Sequence, residues 1–129
     1  GRGVLLARFG GGDEGLVVAV AHLSLGANSR RAQLAFIAEL LSAHPHAVLM
    51  GDFNCVPDRP EMELLYNRTH LRPPAFCVPT FPSWRPQKAI DHILVSEHLQ
   101  SADARALPAA FSDHLALALS IDVPQSALS

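Results

Sequence analysis

The sequence predicts an α/β domain: a mixed, largely antiparallel sheet with helices on one side. Short β-rich runs are interleaved with two helical patterns, in the order β-β-α-β-α-β-β. The first two runs are separated by a glycine-rich turn that folds the chain back on itself. With 49% hydrophobic and 17% charged residues and a mean hydropathy of +0.18, the 129 residues can bury one core.

Gly3 to Phe9 and Leu16 to Leu23 are the first two strands, paired antiparallel across Gly10-Gly11-Gly12-Asp13-Glu14-Gly15, where several residues are free to take positive φ. Asn28 or Ser29 is placed to cap a helix in which Leu34, Ile37, Leu40 and Leu41 recur at spacings of three and four, with Arg30, Arg31, Gln33 and Glu39 mostly on other faces. That helix ends near His44, before Pro45. Ala47 to Met50, closed by Gly51, is a strand covered on both faces. Pro60 to Tyr66 is a short helix with proline and acid at its positive end. Arg68 to Pro86 holds Pro73, Pro74, Pro79, Pro82 and Pro86 and reads as loop. Ala89 to Val95 is the next strand. His114 to Ile121 is the last, with large residues alternating with small ones so that both faces are expected to be covered; Val123 to Ser129 reads as a frayed tail.

Composition narrows the function classes. The longest apolar run, Leu16 to Ala21, is too short to cross a bilayer. A formal charge of −2 and a pI near 6.4 argue against a generally basic nucleic-acid coat, though a local basic groove survives that average. Cys55 and Cys77 lack the spacing of metal ligands and the density of a disulfide framework, and so read as free thiols in a reducing compartment, the cytoplasm. The chain begins Gly1-Arg2-Gly3 rather than with Met, and a partial chain is the expectation.

Polar residues of unusual type sit where the apolar strands stop: His22, then Asp52 and Asn54, then Asp91, then Asp113 and His114. Singly, each has an ordinary explanation. A histidine at a strand end packs or caps; Asp52 and Asn54 form an Asx turn; Asp113-His114 turns the chain. Asp91 lies among apolar residues, where an ionised carboxylate costs several kcal/mol unless it is paired, so it requires a partner. Together, three acids, an amide and two imidazoles at strand ends are what phosphate-ester hydrolysis needs. Carboxylates hold a hard cation such as Mg²⁺, and a carboxylate or histidine accepts a proton from attacking water.

The segments AHLSLGANSRRAQ, VLMGDFN, TFPSWRPQKAIDHILVS and FSDHLAL resemble, in order and spacing, the C-terminal half of the endonuclease/exonuclease/phosphatase superfamily, which includes DNase I-like nucleases, repair exonucleases, inositol polyphosphate phosphatases and neutral sphingomyelinases. The resemblance runs from about Gly3 to Ile121. It implies half of a DNase I-like four-layer α/β sandwich, residues 1–123 being the C-terminal half-domain and 124–129 a tail. It also implies roles: Asp52 orients or deprotonates the attacking water and contributes to the metal site with Asp113; Asn54 holds a phosphate oxygen; His114, oriented and charged by Asp91, contacts the scissile phosphate; His22 is a second phosphate contact, although Ala21 stands where the family has threonine. Arg30 and Gln33 are given a mainly structural part. Trp84 and Arg85, in the loop before the Asp91 strand, are assigned to substrate, with stiffening of a proline-rich loop as the alternative. His44, His46, His70, His92 and His98 match no motif position and are expected to be solvated or packed.

The implied cofactor is Mg²⁺, with Mn²⁺ as a substitute, and the implied substrate is a phosphate ester: nucleic acid, phosphorylated small molecule or phospholipid headgroup. The resemblance also places an early Asn and a metal-binding Glu in the family's N-terminal half. Glu14, in the hairpin turn, and Glu39, in the first helix, do not occupy such a position. A sheet separated from its partner sheet leaves an apolar face uncovered, so self-association through that face, or a non-catalytic half-domain held by a partner, is the rival expectation. A sequence-independent nucleic-acid binder is a third, disfavoured by the pI.

Overall fold

Val4–Phe9 (β1) pairs antiparallel with Leu16–His22 (β2), Val4 opposite Ala21 and Phe9 opposite Leu16. The computed structural model describes residues 2–12, 14–108 and 110–128; the turn residue Asp13 and the end residues Gly1 and Ser129 assigned above lie outside the described residues. Helix α1 (Ala27–Leu41) leads into β3 (Ala47–Asp52), α2 (Pro60–Arg68), β4 (Leu71–Arg72), β5 (Asp91–Ser96), β6 (Ser101–Leu107) and β7 (Ala116–Ile121), and a 3₁₀ turn spans Gln125–Leu128. A five-stranded sheet runs in the order β1-β2-β3-β5-β4; β6 and β7 form a separate antiparallel pair. Among the described residues only the β2–β3 pairing is parallel.

The helices lie on one side, as expected. Alternate strand residues, Val17, Ala19, Ala21, Ala47, Leu49 and Leu94, form one core with Leu34, Ile37 and Leu41 of α1 and Met62 and Leu65 of α2. The intervening residues face the other way: Leu16, Val48 and Val95 are buried there with Leu99, against Val18, Met50, Ile93, Leu119 and Ile121. Period-two alternation therefore covers β3 on both faces. Toward β1 the second face is open, and Leu5 is 73% and Val20 41% exposed.

Several expectations are corrected. Gly26, not Asn28 or Ser29, is the N-cap of α1, and no side-chain capping bond forms. Arg30 is buried rather than on an outer face, because its guanidinium meets the equally buried Glu61 at 2.7 Å. The segment read as loop contains the end of α2 and the two-residue β4. Strand β5 starts at Asp91 and β7 at Ala116, so Asp113 and His114 belong to the preceding turn, and Ala116 and Ser120 of β7 are exposed. Strand β6 was not anticipated. The tail is not frayed throughout: Val123 packs on the second core and Ala127 is fully buried.

Gly51 is fixed by close approach. Its φ is +143°, and a Cβ there would lie 1.8 Å from the Ala21 carbonyl oxygen across the β2–β3 pair.

Candidate active site

The strand register assembles the site. His22 lies opposite Asp52 in the β2–β3 pair, and Asp52 lies opposite Asp91 in the β3–β5 pair. The three residues thus form one row across adjacent strands. They continue the alternation that turns Val20, Met50 and Ile93 away from the helices, so their side chains share a face.

Asp91 has the partner its position demanded. Its Oδ2 accepts a hydrogen bond from the wholly buried Thr80 hydroxyl and another from His114 Nδ1 at 2.7 Å. Thr80 is itself fixed by the main chain, donating its N–H to Lys88 and accepting from Leu115. The Phe81 ring flanks the His114 imidazole at a centroid distance of 4.9 Å. Burial opposes charge on that imidazole, but the Asp91 hydrogen bond and then the charges of Asp91, Asp52 and Asp113 outweigh it and raise the His114 pKa above its ordinary value.

Asp52 stands between the two imidazoles, with Oδ2 3.5 Å from His22 Nε2 and 3.7 Å from His114 Nε2. Its Oδ1 accepts the Asn54 backbone N–H at 2.9 Å, the Asx turn anticipated for this segment. Asn54 has φ of 53°, and its Nδ2 donates to the Leu23 carbonyl at 2.7 Å. Among the described residues the other amide proton has no acceptor, and it can be given to a ligand. Asp52, Asp91 and His114 each offer a ligand atom, all within 4.8 Å of one another, a group that could hold a metal ion.

Asp113 is exposed and outside that group; its backbone carbonyl accepts the Ser83 N–H at 2.7 Å. Ser83 also donates its hydroxyl to the Ser112 carbonyl at 2.8 Å, tying the two loops together. Trp84, in the same loop, lines an open depression with Phe111, Asp113 and Leu115. Trp84 and Arg85 are both exposed.

Arg30 and Gln33 hold the segment after His22. Gln33 bonds Ser24 twice, accepting from its N–H at 2.9 Å and donating to its hydroxyl at 2.8 Å. Arg30 donates to the Ser24 and Leu25 carbonyls as well as to Glu61. Thr80 and Phe81, which buttress His114, were not singled out from the sequence; only their place in the TFPSWRP segment marked them. His92 is buried against Phe53, with Nε2 2.7 Å from the Cys55 carbonyl, and burial lowers its pKa.

A family model described as endonuclease/exonuclease/phosphatase family matches residues 3–114. No curated protein matches the sequence. An endonuclease/exonuclease/phosphatase from Bacteroides vulgatus is similar over 95% of this chain and 56% of its own, with TM-score 0.74 and 20% identity. The inositol polyphosphate 5-phosphatase domain of SPsynaptojanin, solved with inositol (1,4)-bisphosphate and a calcium ion, is similar over 95% of this chain and 52% of its own, with TM-score 0.64 and 19% identity. The 3′ phosphatase NExo from Neisseria, bound to a product DNA hairpin, is similar over 84% of this chain and 62% of its own, with TM-score 0.62 and 19% identity. The chain spans about half the length of the solved structures it matches.

Proposed function

The chain belongs to the endonuclease/exonuclease/phosphatase family and has its DNase I-like α/β fold, and on that premise we propose that residues 1–123 carry the C-terminal half of a metal-dependent phosphoesterase site. The reaction is hydrolysis of a phosphodiester or phosphomonoester. The observation that carries this reading is the Asp52 carboxylate facing two imidazoles, one of them hydrogen-bonded to a partly buried carboxylate.

Asp52 uses Oδ1 on the Asn54 backbone, and its Oδ2, facing His22 and His114, orients the attacking water and accepts its proton. His114, with Nδ1–H given to Asp91, presents Nε2–H to a phosphoryl oxygen, and the Asp91 hydrogen bond, by raising the pKa of the ring, favours the form that carries both protons. His22 and the second amide proton of Asn54 supply further donors to the phosphate oxygens. Trp84 and Arg85 contact the remainder of the substrate. The carboxylates of Asp52 and Asp91 are oxygen donors that suit Mg²⁺ or Mn²⁺, and Asp113, exposed on the turn that carries His114, is the further carboxylate assigned to the ion. When bound, such an ion would offset charge on the phosphoryl oxygens and lower the pKa of the attacking water.

The substrate is a phosphate ester of the kinds its structural relatives bind, an inositol phosphate or a nucleic acid, or a phospholipid headgroup. No helix is long and apolar enough to cross a membrane among the described residues; the free thiols Cys55 and Cys77 favour the cytoplasm. The test is hydrolysis of p-nitrophenyl phosphate and bis(p-nitrophenyl) phosphate by the full-length protein, with Mg²⁺ and with a chelator. Asp52→Ala or His114→Ala should each lower turnover by roughly 100-fold or more, and near-normal turnover in either overturns the assignment.

The open face around Leu5 and Val20 supports a second reading, a non-catalytic half-domain that associates with itself or a partner. A stable dimer without metal-dependent hydrolysis would favour it.

A further inference from the structure

Three of the histidines that match no motif position converge at the other end of the sheet. His46 immediately precedes β3 and Asp52 ends it, so about 20 Å of strand separates the two places. His98 follows β5, and His70 lies between α2 and β4. The His46 residue is buried, and its Nδ1 lies 2.9 Å from His98 Nε2. The His70 and His98 rings approach edge to face at a centroid distance of 6.1 Å. His70 Nδ1 lies 3.6 Å from Glu97 Oε1, and Glu97 Oε2 lies 3.7 Å from Arg72 Nε.

We propose that His46, His70 and His98 form a second metal site, rich in nitrogen and suited to a borderline transition ion such as Zn²⁺. A hydrogen bond, one ring N–H proton between two nitrogens, joins His46 to His98. An ion in place of that proton would bond both nitrogens: at Zn–N distances of about 2.0–2.1 Å, two ligand atoms 2.9 Å apart subtend about 90° at the metal, and an opening of a few tenths of an ångström reaches the tetrahedral angle. His70 is the third ligand. It does not reach the pair in this structure, but it is exposed, and among the described residues its side chain is held only by Glu97 and by ring contact with His98. That contact engages Nδ1 and leaves Nε2 for the metal, the carboxylate–imidazole arrangement that orients metal-binding histidines. The main chain anchors the group: His46 accepts the Val17 N–H, and His70 accepts the Glu97 N–H. Imidazole donors select against Mg²⁺, which prefers the oxygen donors at the far end of β3.

The test is Zn²⁺ binding to the full chain carrying Asp52→Asn and His114→Ala, which silence the oxygen-rich end. Competition with a chromophoric chelator and thermal unfolding are followed together. The expected result is one Zn²⁺ per chain, retained in millimolar Mg²⁺ and accompanied by a higher melting temperature. His98→Ala and His70→Ala, both at exposed positions, should each weaken uptake tenfold or more while leaving the circular dichroism unchanged. Absence of uptake, uptake displaced by Mg²⁺, or uptake unaffected by His98→Ala would overturn the proposal. No outcome depends on phosphoesterase activity.

Discussion

His114 and Asp91 lie 23 positions apart in sequence and are joined at 2.7 Å through Nδ1 and Oδ2. The bond fixes the imidazole tautomer and favours its charged form. Because the folded pKa is raised above the unfolded value, the pair contributes stability that is fully present below the unfolded histidine pKa and is lost as pH rises through the folded one. Asp91→Asn should move the His114 titration, followed by NMR, downward and remove that part of the pH dependence. An unchanged titration would show that Asp91 does not charge the ring.

Arg30 and Glu61 form an ion pair in which both side chains are almost fully buried. Burial works against the Glu61 carboxylate, but the hydrogen bond and charge of Arg30 hold its pKa below the ordinary value. Its contribution is therefore present above the unfolded glutamate pKa and is lost as pH falls through the depressed one. Glu61→Ala strands a buried guanidinium and should cost about 3–5 kcal/mol in chemical denaturation at neutral pH. Arg30→Met combined with Glu61→Leu should recover most of that loss.

Gly51→Ala tests the β2–β3 approach. The added methyl would meet the Ala21 carbonyl oxygen at 1.8 Å from a residue already at φ +143°, so the strands must separate. A loss of about 3 kcal/mol or more is expected. A variant as stable as the parent would contradict the packing described.

Asn54 combines a left-handed backbone with a bond to Leu23. Asn54→Gly keeps the backbone conformation at low cost and removes the amide. Stability should fall by about 1–2 kcal/mol for the lost hydrogen bond, and phosphate affinity should fall as well. Asn54→Ala should cost more stability, because alanine disfavours positive φ.

The cysteines should differ in reactivity. Burial pushes the Cys55 thiol up to about 11 and raises that of Cys77 as well, but Cys77 is partly exposed where Cys55 is buried. Thiol labelling of the folded chain at pH 8, read by mass spectrometry, should modify Cys77 first and Cys55 only on unfolding.

The site was legible where polar side chains interrupt apolar strands, and for this reason His22, Asp52 and Asp91 stood out. Several supporting contacts were not. Thr80, the hydroxyl on Asp91, is an ordinary residue in a proline-rich loop, and the Arg30–Glu61 pair spans 31 positions between a cation placed off the apolar face of its helix and an acid read only as favouring a helix start. The His46–His98 contact spans 52 positions and leaves no local trace. Strand β6, SADARAL, lacks β-branched and aromatic residues and so carries none of the usual marks of a strand. Strand β4 is two residues long, too short for any periodicity.

The row His22–Asp52–Asp91 has a consequence for folding as well as for chemistry. Side chains alternate along each strand, so sliding β3 by one position against either neighbour would send the Asp52 carboxylate to the helix side while leaving the count of main-chain bonds nearly unchanged. A misaligned sheet could look folded by circular dichroism and yet be chemically silent. Recovery of turnover after refolding would therefore report strand alignment, a property that secondary-structure content cannot reveal.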